Sequence, residues 1–153
     1  MDAYVEMCQD PAVGENIGGV PFSREQSWTR FLRQVGHWHL LGFGFFALED
    51  KASGAYIGDA GFHDMHRDFT PSIEGTIEAG WALMPKAQGK GFAEEAMRAA
   101  FAWADKAYPD ARFTSIIGPD NGASLRVAEK LGFKRFGETT YNGADIVLLE
   151  RWR

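Results

Sequence analysis

A chain of 153 residues with 16 Lys and Arg against 21 Asp and Glu carries a formal charge of −5, which argues against holding a nucleic acid by its phosphates and for a cationic partner such as an amine. The length is that of one domain, residues 1–153, which would bury about 68–70% of its unfolded surface, and the 45% apolar content excludes a disordered chain. The lone Cys8 excludes an internal disulfide, the start Met-Asp-Ala-Tyr-Val-Glu has neither the basic region nor the apolar core of a signal peptide, and no apolar run has the roughly 18 residues of a membrane span, so a cytoplasmic protein is expected.

Residues 2–8 read as a short helix stopped by Asp10-Pro11, and residues 14–21 as a loop. Ser23-Arg24-Glu25-Gln26 is a capping box and announces a second helix. Trp28, Phe31, Leu32 and Val35 recur at helical spacing as its inward face, and Gly36 is expected to end it. From Gly42 the period changes to that of strands. Residues 43–48 and 56–62, either side of a turn at 51–54, predict a hairpin, followed by an irregular stretch over 63–75. Residues 76–83 alternate again, with Ile77, Ala79, Trp81 and Leu83 on one face and Thr76, Glu78, Gly80 and Ala82 on the other. Pro85 ends that strand. A glycine turn then leads into an amphipathic helix with Phe92, Ala96, Ala100 and Trp103 as its stripe, closed by Pro109. A short strand over 112–117, a turn at Pro119-Asp120-Asn121-Gly122 and a short helix burying Leu125, Ala128 and Leu131 follow. Gly132 and Phe133 give that helix a Schellman ending. Residues 134–141 and 146–149, joined at Asn142-Gly143, form a last hairpin. The order predicts an α+β, mixed-sheet domain of about six strands flanked by helices. Phe43, Phe45, Phe46, Phe62, Trp81 and Trp103 are expected in its core, with Cys8 as a small buried hydrophobe.

The stretch over residues 83–97 carries the chemistry. Gly89 and Gly91 admit backbone angles closed to other residues, Lys90 adds a positive charge, and the helix behind them presents unpaired N–H groups at the positive end of its dipole. An anion such as a phosphate or pyrophosphate is expected there. A lone Gly-x-Gly also serves as a mere tight turn. It is not a P-loop, because Met84 stands where the first glycine belongs and Gly91 follows Lys90. It is not a dinucleotide fingerprint, because Glu94 occupies the third small position.

What fits is Gln-x-x-Gly-x-Ala at Gln88, Gly91 and Ala93, which resembles the coenzyme A loop of the GNAT N-acetyltransferases, Gln/Arg-x-x-Gly-x-Gly/Ala. Asn121 and Ser124, with Gly132-Phe133 eight residues after the serine, resemble a second GNAT element. The text from Asp10-Pro11 through Trp28, Gly36-His37-Trp38 and Ala79-Gly80-Trp81-Ala82-Leu83 is similar to the branch that includes the ribosomal-protein alanine acetyltransferases (RimJ/RimL-like), so the resemblance spans nearly the whole chain. It implies an acetyl-CoA-dependent N-acetyltransferase with a mostly antiparallel twisted sheet and no metal. Members of that branch carry a first strand before the point matching Met1. Without a counterpart here, either the start is truncated or the sheet has six strands with residues 43–48 as an open edge, through which a homodimer is one expected outcome.

Residue by residue, the resemblance implies that the backbones of Trp81, Ala82 and Leu83 pair with the pantetheine arm and offer an oxyanion donor. It implies that Gln88, Gly89, Lys90, Gly91, Phe92 and Ala93 hold the pyrophosphate, mainly by N–H groups. Asn121 would bond the pantetheine arm, cap its own helix, or do both. Ser124 stands where many relatives have the tyrosine that protonates the leaving thiolate; it is a poor acid, a competent donor, and equally an ordinary first-turn serine. The acceptor must be a neutral amine, which at pH 7 costs about 4–5 kcal/mol for a lysine-like group and about 1–1.5 kcal/mol for an α-amino group. Glu78 is the candidate base, directly or through water, or else a solvated strand carboxylate. His63 is the rival base. The pairs His37/His39 and His63/His66 lack a third ligand at metal spacing. The acceptor, a protein N-terminus or a small-molecule amine, would meet the N-terminal helices and the loops at 63–75 and 140–145, and Asp59, Asp64, Glu74 and Glu78 point to a cationic one. The alternative from another class is a non-catalytic coenzyme A-binding module.

Overall fold

The computed structural model describes residues 1–152. Its helices are α1 Asp2–Gln9, α2 Pro11–Gly18, α3 Arg24–Leu41, α4 Phe92–Ala107 and α5 Gly122–Lys130, and its strands are β1 Phe45–Asp50, β2 Ala55–His63, β3 Ile77–Leu83, β4 Phe113–Ile117, β5 Lys134–Tyr141 and β6 Ala144–Arg151. The six strands form one sheet in the order β1-β2-β3-β4-β6-β5. Neighbours are antiparallel except β3 and β4, which run parallel because α4 crosses over between them. β1 is an open edge, as expected of a six-stranded sheet. Among the described residues no helix is long and apolar enough to cross a membrane.

The core lies where α4 and α5 cover one face of the sheet. Phe62, Ala79, Met97, Phe101, Ala104, Phe113, Ala128, Phe133 and Leu149 are buried together there. The rings of Phe62 and Phe101 meet edge-on at 5.2 Å, and those of Phe101 and Phe113 at 5.1 Å. A smaller cluster of Tyr4, Met7, Cys8, Val13, Ala82 and Met84 anchors α1 and α2 to the other face. Phe46, expected in the core, is 38% exposed on the β1 edge, although its ring lies 4.9 Å from that of Trp38.

Local signals hold at most turns. Ser23 accepts from the Gln26 N–H at 3.1 Å while the Gln26 side chain accepts from the Ser23 N–H at 2.8 Å, a complete capping box. Gly132, at φ 88°, ends α5 as its Phe133 neighbour donates an N–H to the Ala128 carbonyl at 3.0 Å, the long bond of a Schellman motif. Asn142 and Gly143 both have positive φ, as a two-residue hairpin turn requires.

Two helices depart from expectation. Residues 14–21 are not a loop: α2 begins at Pro11, with Asp10 as its N-cap accepting from the Ala12 N–H at 2.9 Å. The Asp-Pro pair starts a helix here as well as stopping one, because proline at the first helical position loses no bond. α3 passes through Gly36 and ends only at Gly42, which takes the left-handed conformation at φ 76°. A glycine inside a helix costs about 1 kcal/mol and does not break it. The apolar face of α3 is also turned outward: Trp28, Leu32 and Val35 are 47%, 50% and 51% exposed, and of the four only Phe31 reaches the α1 cluster. The side facing the sheet is instead the polar series Ser27, Arg30, Gln34 and His37, with Ser27 and His37 buried.

Candidate active site

β3 and β4 are paired only at Ile77–Phe113 and Glu78–Thr114. Their closed end is pinned by the Ile77 N–H donating to the Arg112 carbonyl at 3.0 Å and by the Thr76 and Thr114 hydroxyls, buried and 2.8 Å apart. Beyond Glu78, β3 continues to Leu83 with β2 as its neighbour, and β4 continues to Ile117 with β6. The two strands therefore part, and the β4-facing edge of Ala79–Leu83 has no strand against it. Trp81, Ala82 and Leu83, the expected pantetheine segment, all lie on that edge. Backbone groups on such an edge require partners from elsewhere.

At the wide end, β3 runs into a single 3-10 turn at Pro85–Ala87. Gln88 Nε2 donates to the Leu83 carbonyl at 2.9 Å, so this side chain ties the loop to the strand end. Gly89 and Gly91 have φ of 73° and 85°, and a Cβ at either would meet nothing within 4 Å. Backbone angle, rather than crowding, is what calls for glycine, and the surface above both is open. Gly91 caps α4 with no side chain, so the N–H groups of the first turn have no side-chain acceptor. Phe92 and Ala93 turn their side chains inward against Ile57, Leu83 and Ala87, which leaves their amides outward. Lys90 is exposed beside them. A set of outward amides and one cation therefore stands where an anion is expected.

Across the opening, Asn121 caps α5 by accepting from the Ser124 N–H at 3.1 Å, and its Nδ2 donates to Asn16 Oδ1 on α2 at 2.8 Å. The Ser124 side chain is half-buried in the first turn of α5. A groove of ≈ 360 Å³ lined by Asn16, Gly118, Pro119, Asp120, Asn121, Ala144 and Asp145 lies between α2, this turn and the start of β6.

Glu78 sits at the apex, 4% exposed, on the face opposite Trp81. Arg67 grips it with a fork: Nε donates to Oε2 at 2.6 Å and Nη2 to Oε1 at 2.8 Å. His63 Nε2 stands 3.0 Å from Oε1, though not aligned to donate along its N–H direction. Burial works to raise the Glu78 pKa, and His63 and Arg67 overcome it, bringing it down to about 2. Burial depresses the His63 pKa against the pull of Glu78, so the imidazole is neutral at pH 7.

The four acids expected to attract a cation do not gather. Asp59 is 3% exposed and accepts from Gln34 Nε2 at 3.1 Å, four residues along β2 from His63. Asp64 accepts from the His66 N–H at 3.0 Å, and its carbonyl accepts from His37 Nε2 at 2.8 Å. Glu74 is exposed on the loop. Sequence motifs did not mark Arg67, Arg30, Gln34 or Asn16; the helical spacing of Arg30, Gln34 and His37 was the one available signal. Among the described residues no cluster of three or more His, Cys, Asp or Glu could hold a metal.

Against known proteins, the sequence model of the acetyltransferase (GNAT) domain matches residues 1–134. Among solved structures, a protein of Bordetella pertussis assigned to the GnaT acetyltransferase family shares 35% identity, with 98% of this chain and 88% of that one covered at a TM-score of 0.86. The ribosomal-protein-S5-alanine acetyltransferase of Vibrio fischeri shares 26% identity, covering 88% of this chain and 73% of that one at a TM-score of 0.66. The fold is also that of yncA from Salmonella typhimurium, solved with its cofactor acetyl-CoA, at 22% identity, 88% and 76% coverage and a TM-score of 0.68.

Proposed function

The chain belongs to the GNAT acetyltransferase family, whose domain matches residues 1–134, and from that membership we infer that it moves the acetyl group of acetyl-CoA onto a primary amine by direct attack in a ternary complex. The observation that carries this reading is the parting of β3 from β4 beyond Glu78, next to the uncapped first turn of α4. Both features suit an extended acyl carrier with a diphosphate. The unpaired edge of Trp81, Ala82 and Leu83 would take the pantetheine arm as a missing strand, and Gln88, Gly89, Lys90, Gly91, Phe92 and Ala93 would take the diphosphate on amides and one ammonium. Acetyl-CoA supplies an acetyl group activated as a thioester.

The chain's own residues divide the remaining work. An amide of the β3 edge would donate to the carbonyl oxygen as charge builds. Ser124, whose hydroxyl is free of partners among the described residues, would donate to the leaving sulfur. Asn121 would meet the arm with the second hydrogen of its amide. A carboxylate held at about 2 accepts a proton from an α-amino group only about 8 kcal/mol uphill, and Arg67 already occupies both of its oxygens. His63 therefore takes the amine's proton, directly or through a water, and Glu78 acts as the positioning residue that holds His63 and Arg67. No acyl-enzyme is needed: Cys8 is buried, and burial pushes its thiol pKa up.

Residues 1–153 act in this proposal as one catalytic domain in the cytoplasm, the compartment that a free buried thiol suits. Kinship with the ribosomal-protein alanine acetyltransferase branch is supported by the Asp10-Pro11, Gly36-His37-Trp38 and Ala79–Leu83 text and by the Vibrio fischeri neighbour. The open β1 edge supports a homodimer paired through it. Release of free thiol from acetyl-CoA across a panel of amines, paired with a calorimetric titration of coenzyme A, tests the function. Absence of coenzyme A binding, or its loss of nothing on Gly91→Ala, would overturn the donor assignment.

A further inference from the structure

The two oxygens of Glu78 are not shared equally. Oε2 accepts from Arg67 Nε at 2.6 Å, while Oε1 accepts from Arg67 Nη2 at 2.8 Å and also stands 3.0 Å from His63 Nε2. All three side chains are nearly closed to solvent, with 14% of His63, 12% of Arg67 and 6% of Glu78 exposed. A recess of ≈ 10 Å³ between Asp64, Arg67, Thr76 and Glu78 has room for about one water. Bulk water therefore does little to screen these charges, and each is felt strongly by the others.

Arg67 reaches this point from a shaped loop. The chain leaves β2 at His63, and the Asp64 carboxylate accepts the His66 N–H at 3.0 Å to close a turn in which His66 takes a φ of 45°. The Asp64 carbonyl accepts from His37 Nε2 at 2.8 Å, which ties the turn to α3. Arg67 follows and meets Glu78 on β3. Its guanidinium lies 4.9 Å from the Tyr141 ring at the end of β5, and Phe69 of the same loop meets that ring edge-on at 5.6 Å. A planar fork backed by an aromatic ring is held to the carboxylate more firmly than a lysine ammonium would be.

We propose that Arg67 is a positioning residue of the acetyl transfer: by holding both oxygens of Glu78 it keeps that carboxylate from capturing His63 as an imidazolium, so the ring stays free to take the amine's proton. This role rests on the acetyltransferase reading above and adds a residue to it. A buried carboxylate 3.0 Å from an imidazole, with no other partner, would hold the protonated ring as an ion pair, and a base already protonated can accept nothing. The fork commits the charge of Glu78 to the guanidinium instead. The other surroundings of His63 agree. Burial lowers its pKa, Glu78 raises it, and Arg67 and the Arg30 of α3 lower it. Asp59, four residues back on β2, is itself met by Arg30 and Gln34, and Asp64 turns its carboxylate to His66. α3 also presents the His37 ring at 6.2 Å, and β1 the Phe45 ring at 5.2 Å. Arg67 is therefore the cation that competes with the imidazole for the carboxylate in contact with it.

The test follows the His63 ring resonances by NMR through a pH titration of the protein alone, with His63→Gln to assign them. It compares wild type, Arg67→Met, Arg67→Lys and the double variant Arg67→Met with Glu78→Gln. The expected His63 midpoint rises by about one pH unit or more in Arg67→Met and by less in Arg67→Lys. In the double variant it returns to the wild-type value or below, because no carboxylate is left to hold the proton. The acid limb of the kcat/KM profile, read by thiol release from acetyl-CoA, should move upward with the midpoint while coenzyme A affinity holds. A guanidinium that merely clamps the loop would lower the melting temperature and leave the midpoint in place. That outcome, or a midpoint still raised in the double variant, overturns the proposal. If Arg67→Met does not fold, Arg67→Lys decides by the same midpoint, and no upward movement there overturns it. If the midpoint moves and the acid limb does not, His63 is not the base and the catalytic role of Arg67 falls. If coenzyme A binds and no amine is acetylated, the acetyltransferase reading fails by itself, and the titration still decides whether Arg67 governs His63.

Discussion

The Thr76 and Thr114 hydroxyls meet at 2.8 Å, buried, across the one parallel strand pair of the sheet. Thr76 already donates its hydrogen to the Ile73 carbonyl at 2.7 Å, so Thr114 is the donor between them. This bond closes the narrow end of the opening in which the donor would lie. Thr114→Val keeps the shape and removes the donor, with an expected cost of about 1 kcal/mol. Denaturant unfolding should show that loss, and coenzyme A titration should show weaker binding, because the parting of the strands begins one residue further on.

His63→Gln should lower kcat by 10²-fold or more, as expected for removal of a general base, with coenzyme A affinity unchanged. Glu78→Gln should act differently. It leaves the Arg67 guanidinium buried without its counter-ion, which costs roughly 3–5 kcal/mol. Thermal melts separate the two variants: the first stays near the wild-type midpoint and the second drops well below it.

Stability should decline on the acid side in two stages. His63, with its folded pKa depressed by burial, binds a proton more readily unfolded, so its contribution is present above about 6.5 and is lost as pH falls below that. Glu78, at about 2 when folded, contributes fully above its ordinary value near 4.5 and loses that contribution as pH falls toward 2, on the order of 3 kcal/mol in all. Asp59, raised by burial, works in the opposite direction, regaining stability as it protonates above its ordinary range. Chemical denaturation at a series of pH values should show the lower stage in the wild type and not in Glu78→Gln, with the opposing Asp59 contribution common to both and cancelling in the comparison.

Gly91→Ala should cost about 1–2 kcal/mol for a side chain held at φ 85°. If the turn rearranges to relieve this, the amides of α4 turn with it, and coenzyme A affinity should fall at least tenfold. Calorimetry on the folded variant checks it.

The outward face of α3 gives a contrast. Leu32, 50% exposed, should tolerate Leu32→Gln within about 0.5 kcal/mol. Phe62→Ala, at a fully buried ring between α4 and the sheet, should cost about 3–5 kcal/mol. Paired unfolding curves decide whether the apolar stripe of α3 is a core face.

That stripe shows where residue patterns mislead. Trp28, Leu32 and Val35 have the spacing of a buried face, but the layer beneath α3 is polar, so the ordinary inside-outside rule is inverted there. The hairpins, the Schellman end at Gly132 and the glycine turn at 89–91 were legible because each depends on a few neighbouring residues. Asp10-Pro11 was ambiguous because the same dipeptide stops one helix and caps the next. The glycines and helix-start amides of the proposed donor site could be read from spacing. Arg67 could not, because it comes from an irregular loop and meets Glu78 only through the fold.

The bond from Asn121 to Asn16 spans 105 positions of sequence and joins two territories. One partner caps the helix expected to flank the incoming thioester, the other sits on α2, and both line the same groove beside the start of β6. Any visitor that claims the Asn121 amide must share it with α2 or pull it away. Either way, docking of the thioester is expected to be felt on α2 through a single carboxamide.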